Sequence, residues 1–330
     1  MMLHLTSCAS DLAVAVDLLR AGELVALPTE TVYGLAADAT NADAVRAIFH
    51  AKGRPADHPL IVHIAAAEQL PVWADEVPEA AWRLASAFWP GPLTLVLPAA
   101  PAVSPLLTGG QTTIALRVPA HPVFQAVLRQ FGRGLAAPSA NPFGRISPTT
   151  AAHVQCHLAG RIAAVVDGGP CPVGIESTIV DLSGDQPRIL RPGMIAVEAV
   201  AQHLPRIATT GAFAPRVPGT LASHYAPRKP CFRIPIDLHK EPFSGQRLGL
   251  LATRPVNWPV ARFWPMPAYP EDYARVLYST LHQADASDCD VLLIALPPDE
   301  PSWVTIQDRI RRATRSLDGS PVSGARAGHL

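Results

Sequence analysis

Apolar positions in the N-terminal part of the chain switch between helical spacing and short continuous runs. Leu12, Val16 and Leu19 share one helical face and predict a first helix with Ser10 as its N-cap, and Asn41 is the predicted N-cap of a second helix. Further helices are predicted at 78–88, 121–131, 149–158 and 196–204, and strands at 23–27, 60–64, 93–97, 112–118, 135–137, 163–166, 177–182 and 188–190. Because helices and strands mix irregularly, we expect an α/β fold with an open, twisted mixed sheet and flanking helices, not a barrel.

The C-terminal part of the chain has the pattern of a second, smaller domain. Residues 205–230 lack apolar periodicity and are rich in Pro, Gly and Thr, yet they carry His224 and Tyr225, which are unusual in a spacer. Beyond them the pattern predicts strands at 247–252 and 291–296 and helices at 272–284 and 303–315, typical of a small α/β (Rossmann-like) unit. We therefore expect a catalytic domain over 1–204, a linker over 205–230 and a small domain over 231–330.

Composition restricts the classes of function. The chain of 330 residues is 48% hydrophobic and only 16% charged, so it can bury a sizeable core. A formal net charge of zero argues against nucleic-acid binding through the overall charge of the protein. Binding through a local basic cleft stays possible. The five cysteines are scattered without a Cys-x-x-Cys pair, which favours reduced thiols. Asp11 and Asp17 argue against a signal peptide, and the apolar run 291–296 is too short for a membrane span, so we expect a cytoplasmic protein without membrane association.

Two cations near the end of a predicted helix point to an anionic ligand. Lys52 and Arg54 flank Gly53, and Pro55 further fixes the backbone around them. An Arg can hold a phosphate bidentately while a Lys acts as a point charge. The polar loops 28–34 and 138–142 offer hydroxyls and an amide for the rest of such a ligand, which suggests a nucleotide pocket. Each feature alone also fits a helix-terminal surface charge or a turn.

Two other motifs are weaker. Residues 132–137 match a loose G-x-G-x-x-A dinucleotide fingerprint, but they follow a predicted helix and open a strand, whereas the fingerprint requires the reverse order. His153, Cys156 and His157 lie on one helical segment and could face a zinc ion. No second ligand cluster has matching spacing, so ordinary surface or core histidines are the favoured interpretation.

The ordered motifs together resemble a known family. The segments are 28–35, 52–63, 89–94, 117–119, 138–141, 176–181 and 190–193, which include Lys-x-Arg and Ser-x-Asn signatures. They resemble the YrdC-type threonylcarbamoyl-AMP synthases, and the His-Tyr-Ala-Pro element at 224–227 marks the long form with an extra C-terminal domain. The resemblance implies a nucleotidyltransferase that converts L-threonine, bicarbonate and ATP to threonylcarbamoyl-adenylate and pyrophosphate. That reaction is the first step of threonylcarbamoyl-adenosine modification of tRNA next to the anticodon.

The resemblance also implies which residues bind each substrate. Lys52 and Arg54 are the expected catalytic pair. The expected ATP contacts are Arg54, His58, Thr113, Ser139, Asn141, Ser147, Arg191 and Tyr225. The expected threonine contacts are Thr31, His63, Arg117, Ala137 and Ser177. His58 departs from the Asn that is usual in the family and loses the paired donor and acceptor of a carboxamide.

The implied mechanism depends on positioning and charge. The N-carboxylate of threonine would attack the α-phosphate, and it needs no general base because it carries no proton. Lys52, Arg54, Arg191 and a Mg2+ ion carried by the ATP would stabilise the developing charge, and we expect no metal site of the chain's own. The product would pass to the tRNA threonylcarbamoyl-transferase machinery. The linker with His224 and Tyr225 would close over the pocket as a lid that excludes water, and a passive tether is the alternative.

Two rival functions stay open. One is a carbamoyl-adenylate-forming domain, as in hydrogenase-maturation carbamoyltransferases, but the zinc-finger cysteines of those proteins are missing here. The other is a module that binds double-stranded RNA or tRNA weakly, which salt-dependent RNA binding without ATP would reveal.

Overall fold

The computed structural model describes residues 2–204, 207, 214–219 and 224–317. The chain divides into a first unit, Met1–Phe143 with Ser147–Thr220, and a second unit, Gly144–Ile146 with Leu221–Leu330. The predicted linker, 205–230, therefore lies in part outside the described residues. Its described parts belong to both units, 214–219 to the first and 224–230 to the second.

The first unit contains short strands and helices of mixed order. Its helices are α1 Ala9–Arg20, α2 Ala42–Lys52, α3 Leu70–Trp73, α4 Glu79–Phe88, α5 Pro105–Thr108, α6 Pro122–Phe131, α7 Ala151–Leu158 and α8 Val197–Ala201. Its strands are β1 Leu3–Leu5, β2 Val25–Leu27, β3 Gly34–Asp38, β4 Ile61–His63, β5 Leu93–Pro98, β6 Thr113–Arg117, β7 Leu135–Ala136, β8 Ala164–Val166, β9 Thr178–Asp181 and β10 Arg188–Arg191.

Helix α2 forms as its sequence predicts. The Asn41 side chain accepts hydrogen bonds from the backbone N–H groups of Asp43 and Ala44, which caps the N-terminus. Gly53 ends the helix in the left-handed conformation, with φ 60°. This termination places Lys52 in the last turn, immediately before the glycine.

Helix α1 begins differently from its prediction. Cys8, not Ser10, is the N-cap, and it makes no capping hydrogen bond through its side chain. The Asp11 carboxylate instead accepts hydrogen bonds of 2.7 Å from both the N–H and the hydroxyl of Thr6, which fixes the chain as it enters the helix. The prediction of Ser10 as N-cap is wrong because Ser10 already lies inside the first turn.

Ten strands of the described part of the first unit form one sheet, in the order β1-β8-β2-β3-β7-β4-β6-β5-β9-β10. The sheet contains both parallel pairs, such as β4 with β6, and antiparallel pairs, such as β5 with β6, so the predicted open mixed sheet with flanking helices is confirmed. Strands β1 and β3 were not predicted; β3 reads Gly-Leu-Ala-Ala-Asp and lacks β-branched residues.

The helices cover the two faces of this sheet unequally. Helices α2, α4 and α7 pack on one face. On the other face α1 and α6 cover β2, β3, β7 and β8. The rest of that second face, on β4, β6, β5 and β9, carries the buried residues Ile61, Ala115, Val96 and Ile179, against which Val217 packs. This part of the face, left uncovered by α1 and α6, also carries the polar side chains described below.

The second unit is a small parallel α/β structure. Its strands are β11 Cys231–Ile234, β12 Leu248–Ala252, β13 Arg262–Pro265, β14 Val291–Ala295 and β15 Arg315–Ser316, and its helices are α9 Pro270–Asp285 and α10 Val304–Ala313. The strands described here pair in parallel in the order β13-β12-β14-β11-β15, as a Rossmann-like unit predicts. Among all the residues described, none of the helices combines the length and apolar character that a membrane crossing requires.

Candidate functional site

Arg117 lies at the centre of a buried polar row on the sheet. It ends β6, directly opposite His63 at the end of β4, and both are almost fully buried. Alternation along the strands places these side chains on the same face as Ile61 and Ala115. The fold therefore directs a cation and an imidazole to the same face of the sheet, next to the part that α1 and α6 leave uncovered.

The Arg117 guanidinium is held by three hydrogen bonds. Nη2 donates to Glu30 Oε1 at 2.6 Å, Nη1 donates to Thr31 Oγ1 at 2.9 Å, and Nε donates to the carbonyl oxygen of Gly91 at 3.3 Å. The Thr31 hydroxyl also lies 2.8 Å from the Thr29 hydroxyl. The loop after β2 thus supplies both a carboxylate and a hydroxyl to one arginine.

His63 is neutral in this setting. Burial, and then the neighbouring cation of Arg117, lower the pKa of His63 well below its usual 6.5. The ring stacks on Phe124, with centroids 5.1 Å apart. A neutral imidazole can accept a hydrogen bond from an ammonium or hydroxyl group of a ligand.

Lys52 connects the two signature motifs. Its Nζ donates to the backbone carbonyl oxygens of Ser139 and Asn141, and its own carbonyl accepts from the N–H of Phe143 at 2.8 Å. Burial, and then Arg54, lower the pKa of Lys52 well below its usual 10.5. The lysine thereby fixes the loop that carries the predicted Ser139 and Asn141.

Arg54 and His58 share an aromatic neighbour that sequence reasoning missed. Arg54 donates from Nη2 to the carbonyl oxygen of Pro59 at 2.9 Å, and its guanidinium lies 5.6 Å from the ring centroid of Phe143. His58 meets the same ring edge-on at 5.2 Å. Burial, and then Arg54, lower the pKa of His58. Phe143 directly follows the Ser-Ala-Asn-Pro loop, and that position was the only signal for it in the sequence.

Ser177 and Arg191 form another predicted pair that the structure brings together. Arg191 donates from Nε and Nη2 to the Ser177 carbonyl oxygen at 3.0 and 2.9 Å, and from Nη2 to the Ser177 hydroxyl at 3.0 Å. The Ser177 hydroxyl lies 2.8 Å from that of Thr94. One residue earlier, Glu176 accepts a 2.7 Å hydrogen bond from the Ser147 hydroxyl. Glu176 is a buried carboxylate that sequence reasoning did not single out.

Ala137 and Thr113 are the remaining predicted site residues of the first unit. Ala137 is buried, and its N–H donates to the carbonyl oxygen of Ile61 at 3.0 Å, which ties the end of β7 to β4. Thr113 begins β6 and is half-buried.

Part of the predicted linker lies directly on the uncovered face of the sheet. The Gln111 carboxamide bonds the backbone of Arg216 twice, accepting from its N–H at 2.6 Å and donating to its carbonyl oxygen at 3.0 Å. Val217 is buried against the strands, and the carbonyl oxygen of Pro218 accepts from Arg191 Nη1 at 2.8 Å. Arg216 also reaches Asp57, with Nη1 and Oδ2 3.4 Å apart. Segment 214–219 therefore contacts one predicted ATP residue, Arg191, and Asp57, the neighbour of another, His58.

Tyr225 belongs to the second unit. Its ring is buried, stacks on Tyr278 with centroids 5.5 Å apart and lies 5.5 Å from the guanidinium carbon of Arg309. Its φ of 62° is in the left-handed region, which is unusual for a bulky residue. His224 donates its N–H to the carbonyl oxygen of Arg312 at 3.1 Å. This linker element is thus held by α9 and α10.

The weaker motifs have structural roles. Gly132 ends α6 with φ 79° and leads into β7, which agrees with the rejection of a dinucleotide fingerprint. His153 is half-buried, and burial lowers its pKa to about 4, while its Nδ1 lies 3.4 Å from the Thr149 hydroxyl. Within the described ranges no group of three His, Cys, Asp or Glu side chains is placed to hold a metal ion.

Comparisons with known proteins cover nearly the whole chain. The Sua5_yciO_yrdC family, described as telomere recombination, matches residues 17–193, and the threonylcarbamoyl-AMP synthase C-terminal domain matches residues 195–314. The threonylcarbamoyl-AMP synthase of Bacillus subtilis is 41% identical over 320 residues and is similar across 92% of each chain. That of Pyrococcus abyssi is 38% identical over 318 residues, covering 91% of this chain and 93% of the relative. A crystal structure of P. abyssi Sua5 complexed with L-threonine superposes with a TM-score of 0.85 at 35% identity, over 95% of this chain and 97% of that one.

Proposed function

We propose that this chain, which belongs to the Sua5/YrdC family of threonylcarbamoyl-AMP synthases, condenses L-threonine, bicarbonate and ATP to threonylcarbamoyl-adenylate and pyrophosphate. Two observations support the residue roles best: Arg117 and His63 face each other, buried, at the ends of β6 and β4, and Lys52 holds the Ser-x-Asn loop. The product is the activated group for threonylcarbamoyl-adenosine modification of tRNA, and a transferase acting on tRNA would consume it.

Threonine binds at one end of this site in our proposal. We call this the threonine end, and it consists of Thr31, His63, Arg117, Ala137 and Ser177. Arg117 has five N–H donors, of which three are used by Glu30, Thr31 and Gly91 within the described structure. The two others bind the threonine carboxylate, and neutral His63 accepts a hydrogen bond from the amino or hydroxyl group.

ATP binds at the other end. We call this the ATP end, and within the first unit it consists of Lys52, Arg54, His58, Thr113, Ser139, Asn141, Ser147 and Arg191. Three of these side chains are cations, as an anionic triphosphate requires. A Mg2+ ion would enter as the counter-ion of the triphosphate and supply additional charge neutralisation there.

The reaction needs positioning more than acid–base chemistry. Threonine first releases one ammonium proton to solvent, and its neutral nitrogen then takes up the carbon of bicarbonate, with loss of water, to give an N-carboxylate. One carboxylate oxygen then bonds to the α-phosphorus, the bond to the bridging oxygen of the β-phosphate breaks, and pyrophosphate leaves with that electron pair. Lys52, Arg54 and Arg191 orient the phosphates and stabilise the charge that develops.

A lid over the site is part of the proposal, because the mixed anhydride product hydrolyses in water. Segment 214–219 supports it, since Val217 is buried on the sheet face that carries the site and Pro218 accepts from Arg191. A passive tether would have no reason to bury an apolar side chain there or to bond Gln111 twice. The lid holds the intermediate in a dry pocket in this interpretation.

The test is pyrophosphate release from ATP by the purified full-length chain. We expect release that requires both L-threonine and bicarbonate, with a product that carries the threonine carbon skeleton. Replacing threonine by serine should lower the rate by about 10-fold or more if the pocket recognises the methyl group. Release that needs neither substrate, or no release at all, would contradict the assignment. Carbamoyl phosphate and tRNA would then be the substrates and ligands to test.

A further inference from the structure

We propose that Glu30 is the positioning residue of the threonine end: its carboxylate holds Arg117 so that two guanidinium N–H donors stay available to the substrate carboxylate. The inference rests on the proposed role of Arg117. It assigns to the sequence Thr-Glu-Thr at 29–31 a second function, beyond the hydroxyl of Thr31 that was predicted to contact threonine.

Glu30 is itself fixed from several sides. Oε1 accepts the 2.6 Å hydrogen bond from Arg117 Nη2, and Oε2 accepts from the N–H of Ala120 at 2.9 Å. Its backbone carbonyl oxygen accepts from the N–H of Val173 at 2.8 Å. The side chain is buried, so both carboxylate oxygens accept hydrogen bonds from protein groups instead of from solvent. A carboxylate held in this way can set the orientation of its partner.

The pairing leaves a definite set of donors. Nη1 and Nη2 of Arg117 carry two hydrogens each, and Thr31 and Glu30 each take one of them. One N–H therefore remains on each Nη nitrogen, and we take these two as the facing pair that binds a carboxylate bidentately. Without Glu30 the guanidinium would be a buried cation with an unfilled Nη2 position, free to turn away from this arrangement.

The pairing also sets the charge of the threonine end. Glu30 and Arg117 neutralise each other while threonine is absent, which makes the buried cation tolerable. The substrate carboxylate is then recognised by hydrogen-bond geometry, with its charge matched in part by the ammonium group of the same molecule. Recognition of this kind favours an amino acid over a simple anion.

Glu30→Gln is a sharp test because of the two acceptors. A carboxamide has the shape of the carboxylate, but only one of its two terminal atoms accepts hydrogen bonds. Whichever way the amide turns, its NH2 group faces a donor, either the N–H of Ala120 or the guanidinium of Arg117. The variant must therefore lose either the contact to Arg117 or the contact to Ala120 that fixes the side chain at position 30.

We expect Glu30→Gln to raise the KM for L-threonine by about 10- to 100-fold, the cost of one charge-assisted hydrogen bond, while the KM for ATP stays within about twofold. Glu30→Asp keeps the charge and both acceptors but shortens the side chain, and it should raise the same KM by a smaller factor. Asp38→Asn is the matched control, since Asp38 is also a buried carboxylate paired with an arginine, Arg133, at 3.0 Å. That control should change neither KM.

An unchanged or lowered KM for threonine in Glu30→Gln would overturn the proposal, because Glu30 would then be competing with the substrate for Arg117. Equal rises in both KM values would also overturn it, since they would report general damage to the site. If Glu30→Gln does not fold, the same two criteria apply to Glu30→Asp. A wild-type chain that releases pyrophosphate without threonine would instead count against the proposed function, so the two failures are distinguishable.

Discussion

The threonine end and the ATP end hold their cations in different ways. At the threonine end Arg117 forms an ion pair with buried Glu30, at 2.6 Å. At the ATP end Lys52 donates to the carbonyl oxygens of Ser139 and Asn141, and Arg191 donates to that of Ser177. At Lys52 the carbonyl dipoles bind the ammonium hydrogens without neutralising its charge.

This difference matches the charge of the two proposed ligands. An amino acid is a zwitterion, so a neutralised arginine with two spare donors recognises its carboxylate by geometry. A triphosphate carries several negative charges, and cations that keep their charge attract it over a longer distance. Burial costs such cations stability when the site is empty, as the lowered pKa of Lys52 indicates. The comparison predicts that substitutions at the two ends will change different kinetic parameters.

The largest effect is expected at the ATP end. Arg54→Ala removes one of the cations proposed to stabilise the departing phosphates, and we expect the rate of pyrophosphate release to fall by about 10²- to 10³-fold at saturating threonine. The initial rate of pyrophosphate release measures this loss. Arg133→Ala is the control, because Arg133 is a half-exposed arginine paired with Asp38 outside the site. A loss shared equally by both variants would remove the special role of the ATP-end cations.

A smaller and different effect is expected at the threonine end. Arg117→Lys keeps the charge but cannot offer two parallel donors from one planar group. We expect the KM for threonine to rise by about 10- to 100-fold, with the KM for ATP nearly unchanged. Steady-state kinetics with each substrate varied in turn would show this separation. If Lys serves as well as Arg, then charge alone binds the carboxylate and the contrast between the two ends fails.

Local rules account for one part of this site, and distant contacts for the rest. The Asn41 cap and the left-handed Gly53 follow from the sequence around α2, so the position of Lys52 was predictable. Glu30 was not, because its partner Arg117 lies 87 residues away along the chain. The roles of the predicted substrate contacts came from family resemblance, since a lone Ser or Thr carries no comparable local signal.

The linker shows the same limit. Val217 stands in a Pro- and Gly-rich stretch without apolar periodicity, so nothing local indicated that it would be buried on four strands of the sheet. Tyr225 was noticed as unusual in a spacer, but its left-handed backbone and its packing on Tyr278 depend on helices far along the chain. Composition identifies a linker, whereas tertiary contacts decide what the linker touches.

The neutral His63 allows the threonine end to be tested through stability. Its pKa lies well below 6.5 in the folded chain, so at about pH 5.5 the ring is protonated when unfolded but neutral when folded. The unfolded state then binds more protons, and the free energy of unfolding falls as the pH drops below about 6.5, by up to about 1.4 kcal/mol per pH unit. Above that pH both states hold a neutral ring, and the contribution is constant.

Urea unfolding of the wild type and of His63→Asn, at about pH 7.5 and about pH 5.5, measures this contribution. The wild type should lose more stability on acidification than the variant does, by about 1 kcal/mol. Comparing the two proteins removes the shared contribution of other histidines with a lowered pKa, such as the half-buried His153. Equal losses would mean that His63 titrates normally, and its role as a neutral acceptor for threonine would have to be given up.

The smallest expected effect concerns the lid, and it separates rate from product survival. Gln111→Ala removes both hydrogen bonds to the backbone of Arg216 without touching a residue of either end. Two hydrogen bonds at the surface stabilise closure by about 1 kcal/mol together, so we expect the lid to open about five times more often. Pyrophosphate release should hardly change, while the fraction of threonylcarbamoyl-adenylate that survives hydrolysis should fall by about two- to fivefold. Gln130→Ala, an exposed glutamine on α6, is the matched control and should leave that fraction as it is. If the surviving fraction is the same in both variants, segment 214–219 is a passive tether. A lid that excludes water must admit more water when the hydrogen bonds that hold it closed are removed.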